Sequence, residues 1–300
     1  MRTNLTSQIT LNRVSTKYYK PENAVERSVL TRFEKVPTDI YETVDEGVAH
    51  IANEIAGKIQ DRQREGKFFV IGAGTGASLR PLYAELVRKH KDEGLSFRNV
   101  VIFNLYEYYP LAPESAGSSF AQLKELLVDQ IDIDKQNVFT IDGSIPQEAI
   151  LEYCRLYEQR LQTFGGMDIV LMGIGREGNI AMNEPGTQPN SSTRLVIMDG
   201  NSRVDAKSLF GNIAQVPTCA ITLGIDTILQ AKEVILLAFG QHKAGIVKQA
   251  IEEVANAACP ASYLQLHKNA SFVIDLDAAG KLTRINHPWK VTNCEWTDQL

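Results

Sequence analysis

The chain has 300 residues, 44% apolar and 22% charged, with a formal net charge of −5. That length supports one large α/β domain or two small ones with a sizeable core, and the acidic balance speaks against a nucleic-acid or anionic-membrane partner, which would need a basic patch. No apolar run approaches the roughly 20 residues that span a bilayer, and Cys154, Cys219, Cys259 and Cys294 lack the close spacing of a zinc site or disulfide framework.

Met1-Arg-Thr-Asn-Leu-Thr-Ser7 has no apolar segment of the kind a secretory leader carries, so a cytoplasmic protein is expected. Residues 1–35 are polar, without sustained periodicity, and read as an extension packed on, or trailing from, a single domain over 36–300. From Ile40 the pattern is helical, with Val44, Val48, Ile51, Ile55 and Ile59 at three- or four-residue spacing and Gly66 as a stop.

A repeating rhythm follows. The apolar runs Phe68–Ile71, Val100–Phe103, Ile169–Met172, Val234–Leu237 and Phe272–Ile274 read as buried strands. Amphipathic segments at about Leu79–His90 and Gln147–Phe164 lie between some of them. Continuous apolar strands alternating with helices imply a mostly parallel sheet covered on both faces, a doubly wound, Rossmann-like α/β fold.

Each strand ends in a polar or Gly-rich loop. The first is followed by Gly72-Ala-Gly-Thr-Gly-Ala-Ser78, the second by Asn104-Leu-Tyr-Glu-Tyr108, the third by Gly173-Ile-Gly-Arg-Glu-Gly-Asn179, and the fourth by Gly240-Gln-His-Lys243. Ligands of open α/β sheets bind outside the carboxyl ends of the strands, so the four loops converge on one candidate site. Gly72–Ser78 precedes a helix and reads either as a phosphate cradle or as a plain strand-to-helix turn. Gly173-x-Gly175-x-x-Gly178 matches the dinucleotide fingerprint, with Asp199 near the distance of a ribose-binding acid. Pro185 interrupts the helix that the fingerprint should open, which disfavours a nicotinamide cofactor.

Together these stretches resemble the glucosamine-6-phosphate deaminase family, relatives of the 6-phosphogluconolactonases. The similarity runs from about Thr38 to Asp275. Its strongest part is Gly173-Ile-Gly-Arg-Glu-Gly-Asn-Ile-Ala-Met-Asn-Glu-Pro-Gly186, similar to the family's G-I-G-x-D-G-H-I-A-F-N-E-P-G, whose N-E-P-G ending marks the deaminase branch. Thr75-Gly-Ala-Ser78, Phe103-Asn-x-x-Glu-Tyr108, Asn201-Ser-Arg203 and Ser262-x-Leu-Gln-Leu-His267 are also similar.

The resemblance implies a sugar phosphate such as glucosamine 6-phosphate as ligand and no metal or organic cofactor. It implies that Thr75, Gly76, Ala77, Ser78, Arg203 and Lys243 hold the phosphate. It aligns Asn179 with the family's ring-opening histidine, Glu177 with its supporting aspartate, and Tyr106 with its carboxylate base; Glu184 matches. A phenol titrates near 10, about six units above a carboxylate. Glu107 and Glu177 are then the carboxyls left to serve as base in a rewired enzyme. The alternatives are a silent sugar-phosphate sensor and, less favoured, a lactonase. Some relatives continue into a deacetylase-like domain, so the stretch Trp289–Trp296 reads either as the end of a first module or as an ordinary packed tail. Homo-oligomerisation is left open, because interface helices look like any other amphipathic helix.

Overall fold

A computed structural model describes residues 15–292; Met1–Ser7, Cys294 and the tail beyond Thr292 lie outside the described residues. The strands in chain order are β1 (Thr38–Tyr41), β2 (Phe69–Ala73), β3 (Val100–Asn104), β4 (Tyr106–Tyr109), β5 (Val138–Phe139), β6 (Ile169–Gly173), β7 (Arg194–Ile197), β8 (Cys219–Thr222), β9 (Val234–Ala238) and β10 (Ala270–Asp275). The α-helices are α1 (Ala24–Leu30), α2 (Val44–Arg64), α3 (Arg80–Glu93), α4 (Ser119–Leu126), α5 (Ile150–Thr163), α6 (Gly200–Phe210), α7 (Ile225–Leu229), α8 (Ala244–Glu252), α9 (Leu276–Ala279) and α10 (Thr283–Asn286). None of the described helices is long and apolar enough to cross a membrane.

Seven strands form one parallel sheet in the order β1-β10-β9-β6-β2-β3-β5. Alternate side chains of its central strands enter two cores, as the two-residue strand period requires. Phe69, Ile71, Val100, Ile102, Ile169, Leu171, Ile235 and Leu237 pack with Val48, Ile51, Ile55 and Ile59 of α2 and Leu82 and Leu86 of α3. Val70, Val101, Val170, Met172, Val234 and Leu236 face the opposite side, with Ile150, Tyr157 and Leu161 of α5 and Val247 and Ile251 of α8. The all-apolar strands are thus the sequence of a sheet with no wet face. Ile55 is fully buried, so Ile55→Ala should cost about 2–5 kcal/mol.

Two elements differ from the sequence reading. The helical pattern read from Ile40 begins at Val44, because Thr38–Tyr41 pairs with β10 as the edge strand. Thr43 caps α2 by accepting from the Glu46 amide at 3.2 Å, which satisfies one of the amides a helix start leaves free. The stretch Tyr106–Tyr109, read as a loop, is β4 of a second, antiparallel sheet ordered β4-β8-β7, with Arg194–Ile197 as its edge strand β7. In this sheet Tyr106, Thr222 and Arg194 stand in one cross-strand row.

Residues 15–35 pack on the domain. Tyr18, Tyr19 and Leu30 are buried in its core, and Lys35 N–H donates to Ile251 O at 2.9 Å. The side chains of Glu34 and Arg284, only 3% and 2% exposed, pair at 2.8 Å. Arg284 Nη2 also donates to Thr38 O at 2.9 Å. Burial raises Glu34 to a pKa of about 7, outweighing the opposing pull of Arg284.

Candidate functional site

The sheet order sets the site. From β2 the chain builds outward through β3 to β5, then returns to place β6 on the other side of β2. Such a reversal opens a crevice at the carboxyl ends of the two strands. The loops bordering it are Gly74–Ser78 and Ile174–Asn179, and the Gly74 amide ties the first to β6 by donating to Leu171 O at 3.0 Å.

In the first loop Gly76 and Ala77 are exposed and a tight turn over Ala77–Leu79 leads directly into α3. The first amides of such a start have no acceptor within the helix and sit at its positive end, so the loop is built for an anion. Thr75 is buried instead. Its Oγ1 lies 2.9 Å from the Tyr106 hydroxyl and 3.0 Å from Ser119 Oγ. Burial raises the Tyr106 pKa above its ordinary value, against the contacts with Thr75 and Ser119. Tyr106 is therefore a neutral hydrogen-bonding group near pH 7.

Glu107, fully buried, points its carboxylate at four donors. Oε1 accepts from the amides of Tyr108 and Ser119, both at 2.9 Å. Oε2 accepts from Ser118 Oγ at 2.6 Å and the Phe120 amide at 3.0 Å. Two of these are first-turn amides of α4, so Glu107 clamps β4 to that helix and neutralises its positive end. Burial raises its pKa and the four donors pull it back. The four lone-pair sites of the carboxylate are filled, and Glu107 has none free to take a proton.

The Gly173–Gly178 loop opens no helix; residues 174–193 contain none. Gly175 N–H donates to Asn179 O at 2.9 Å and the Gly178 amide to Gly175 O at 3.1 Å. Gly178 takes φ +80°, and a Cβ on Gly175 would stand 1.8 Å from Asn179 Oδ1. The glycines therefore close a tight loop around Asn179, a different use from the dinucleotide turn. Asp199 is the N-cap of α6, accepting from the Asn201 amide at 2.7 Å.

The start of α6 meets this loop. Asn201 Nδ2 donates to Glu177 Oε1 at 3.0 Å, Asn179 Nδ2 lies 3.5 Å from Ser202 Oγ, and the Asp199 amide lies 3.4 Å from Glu184 Oε1. Arg176 pairs with Asp205. Glu184 is buried, and its Oε2 has no hydrogen-bond partner among the described residues. Its pKa is raised by burial, pulled back by the Ser202 hydroxyl and the Asp199 amide, and pushed further by the charges of Asp199 and Glu177.

Lys243 approaches from the fourth loop and donates from Nζ to Ile174 O at 2.7 Å. Burial lowers its pKa, Asp205 pulling it back up and Arg176 lowering it further. The turn that carries it is fixed by the buried Asp275, which accepts from the Gly240 amide at 2.9 and 3.0 Å. Arg203 is engaged elsewhere. Its Nη2 donates to Ile213 O at 3.2 Å and Val216 O at 3.1 Å, tying α6 to the segment before β8, while its Nε is buried with no partner among the described residues.

The structure thus brings Thr75 to Tyr106, gathers Glu177, Asn179 and Glu184 against the start of α6, and sets Lys243 on the β6 loop. Among the described residues no three His, Cys, Asp or Glu side chains are grouped to hold a metal. Sequence reasoning passed over Ser119, whose hydroxyl completes the Thr75–Tyr106 cluster, and Arg194, which merely begins an apolar run. Neither carries a local signal, because the side-chain partners of each lie at least seven residues away.

A profile of the glucosamine-6-phosphate isomerases/6-phosphogluconolactonase family matches residues 42–273. Over all 300 residues the chain is 57% identical to a glucosamine-6-phosphate deaminase-like protein of Bacteroides thetaiotaomicron, spanning 45% of that relative's length. It is 39% identical to a glucosamine-6-phosphate deaminase of Bacillus velezensis over 80% of this chain and 96% of that one. The solved structure of a monomeric glucosamine-6-phosphate deaminase superposes with a TM-score of 0.77 at 33% identity, covering 82% of this chain and 99% of the other.

Proposed function

The chain belongs to the glucosamine-6-phosphate isomerase/6-phosphogluconolactonase family, and we propose that it binds an aminohexose 6-phosphate and converts it with Glu184 as its proton-transfer group. The reaction is that of glucosamine 6-phosphate and one water giving fructose 6-phosphate and ammonia, by ring opening, proton movement from C2 to C1 and release of the amino group. The Gly74–Ser78 loop and Lys243 hold the phosphate dianion, for which backbone donors and a cation are suited. Tyr106 and Asn179 hydrogen-bond the sugar hydroxyls.

The supporting observation is the state of Glu184, a buried carboxyl with a raised pKa and one oxygen without a partner among the described residues. A carboxyl moved toward neutrality serves both as acid and as base. Of the alternatives, Glu107 is saturated, Tyr106 keeps its proton, an amide at Asn179 does not titrate, and Glu177 is held by Asn201 Nδ2 at 3.0 Å. The test is ammonia and fructose 6-phosphate release by wild type and Glu184→Gln, run beside calorimetric binding of glucosamine 6-phosphate. Turnover that the variant abolishes while binding persists supports the proposal; no turnover across hexose and hexosamine phosphates defeats it.

A second reading rests on the Tyr106–Thr75 contact and the absence of a carboxylate at position 106. It is a binding module that registers a sugar phosphate without converting it, and ligand binding with no ammonia release identifies it. Lactone hydrolysis is disfavoured by Asn183-Glu184-Pro185-Gly186, and a robust lactonase rate would reverse that order.

A further inference from the structure

We infer that Arg194 is a positioning residue that staples both sides of the Glu184 loop; the inference deepens the reading of Glu184 as the proton-transfer group and rests on it. Arg194 Nη1 donates to Asn183 Oδ1 at 3.0 Å and Ser192 O at 3.2 Å, and Nη2 donates to Thr187 Oγ1 at 3.3 Å. One guanidinium therefore grips the residue before Glu184 and the third residue after it. A planar fork with fixed donor directions can do this, whereas a lysine ammonium, whose three donors radiate from one nitrogen, cannot reach both sites in register.

Two further observations set Arg194 apart. It is partly buried, its pKa is lowered by burial, and among the described residues no carboxylate pairs with it. Placing a cation there without a counter-charge is costly, so the neutral acceptors it organises are what the fold gains. The loop it grips is strained. Ala181 has φ +50°, the sole non-glycine in the left-handed region among the described residues. Such a conformation persists only where its surroundings impose it.

Asn183, fully buried, passes the constraint on. Its Nδ2 donates to Ile180 O at 3.1 Å and Leu223 O at 2.9 Å, closing the turn that contains Ala181. The Gly186 amide donates to Ala257 O at 2.7 Å and the Thr187 amide to Glu184 O at 3.0 Å. Arg194 itself is held in the β7–β8–β4 row with Thr222 and Tyr106, so the staple starts from a rigid strand.

The experiment compares wild type with Arg194→Lys and Arg194→Gln. Amide hydrogen exchange at Asn183, Gly186 and Thr187 should speed up about tenfold or more in both variants, the scale of losing a charge-assisted hydrogen bond, while amides of β2 and β3 stay protected. With glucosamine 6-phosphate, kcat should fall about tenfold or more with KM within about threefold, the pattern of a misplaced catalytic group. The pH–rate limb set by Glu184 should shift, and Arg194→Lys should not restore it. Unchanged exchange in Arg194→Gln overturns the inference. A wild type without turnover defeats the reading of Glu184 and leaves exchange to decide on Arg194. Should Arg194→Gln fail to fold, Thr187→Val decides: faster exchange at Gly186 and Thr187 supports the staple, and no change overturns it.

Discussion

The Tyr106 hydroxyl lies 2.9 Å from Thr75 Oγ1. The side chain standing where the family resemblance places a carboxylate base is therefore bonded to the anion loop itself. A neutral phenol there orients hydroxyl groups but does not take a proton from carbon.

Supplying the missing groups should raise the rate. Tyr106→Asp combined with Asn179→His should increase ammonia release from glucosamine 6-phosphate by about 10²-fold or more, the usual worth of positioned acid–base groups. The measurement is the initial rate per folded molecule. No gain would mean that the missing base does not limit turnover.

Glu184→Gln should lower turnover by about 10²–10⁴-fold without lowering the thermal midpoint. Because burial raises the Glu184 pKa, its contribution to stability is complete below the ordinary carboxyl pKa and is lost as pH rises through the raised one. The neutral amide removes that loss, so thermal scans should show the variant gaining on wild type as pH increases.

Lys243 and Arg203 should separate. Lys243→Ala should weaken glucosamine 6-phosphate binding by about 10–100-fold, as expected for a lost charged hydrogen bond, with little change in melting. Arg203→Ala removes the bonds to Ile213 O and Val216 O and should lower the melting temperature as well. Calorimetry and thermal scans read both quantities.

Glu107→Gln should destabilise the fold by about 3–5 kcal/mol, because an amide presents a donor to groups that all donate and removes the charge they surround. Denaturant titration checks this. A loss of turnover with unchanged stability would instead identify Glu107 as the base.

Glu34 gives a pH signature far from the site. Its pKa rises from 4.5 to about 7 on burial, so its stabilising effect is full below about pH 4.5 and disappears as pH rises through about 7. The size is on the order of 3 kcal/mol. Glu34→Gln should flatten the pH dependence of unfolding across that window, even though leaving Arg284 unpaired lowers overall stability.

The doubly wound sheet was legible because Phe69–Ile71, Val100–Phe103 and Val234–Leu237 have no polar alternation, which a strand buried on both faces must lack. The convergence of loops followed from where those runs stop. The small antiparallel sheet was not legible, since Tyr106-Glu-Tyr-Tyr109 is polar and aromatic in both registers and its partner Cys219–Thr222 lies more than a hundred residues away. Strand β1 (Thr38–Tyr41) is hidden for a related reason: four residues are too few to show a period, and its last two, Ile40 and Tyr41, read as the start of the helical pattern. The fingerprint glycines were legible as glycines, but their purpose, closing around Asn179, is visible only once the Oδ1 beside Gly175 is seen. Contacts such as Arg194 with Asn183 and Thr187 depend on which strand edge faces which loop, and no local pattern encodes that.

The row Tyr106–Thr222–Arg194 has a consequence for protein engineering. One short sheet reaches the anion loop through Tyr106 and the Glu184 loop through Arg194, with Thr222 between them accepting from the Met182 amide at 3.2 Å. A combinatorial library of these three positions would retune both ends of the crevice at once. The seven-stranded sheet, which supplies most of the buried core, would be left intact as the chassis.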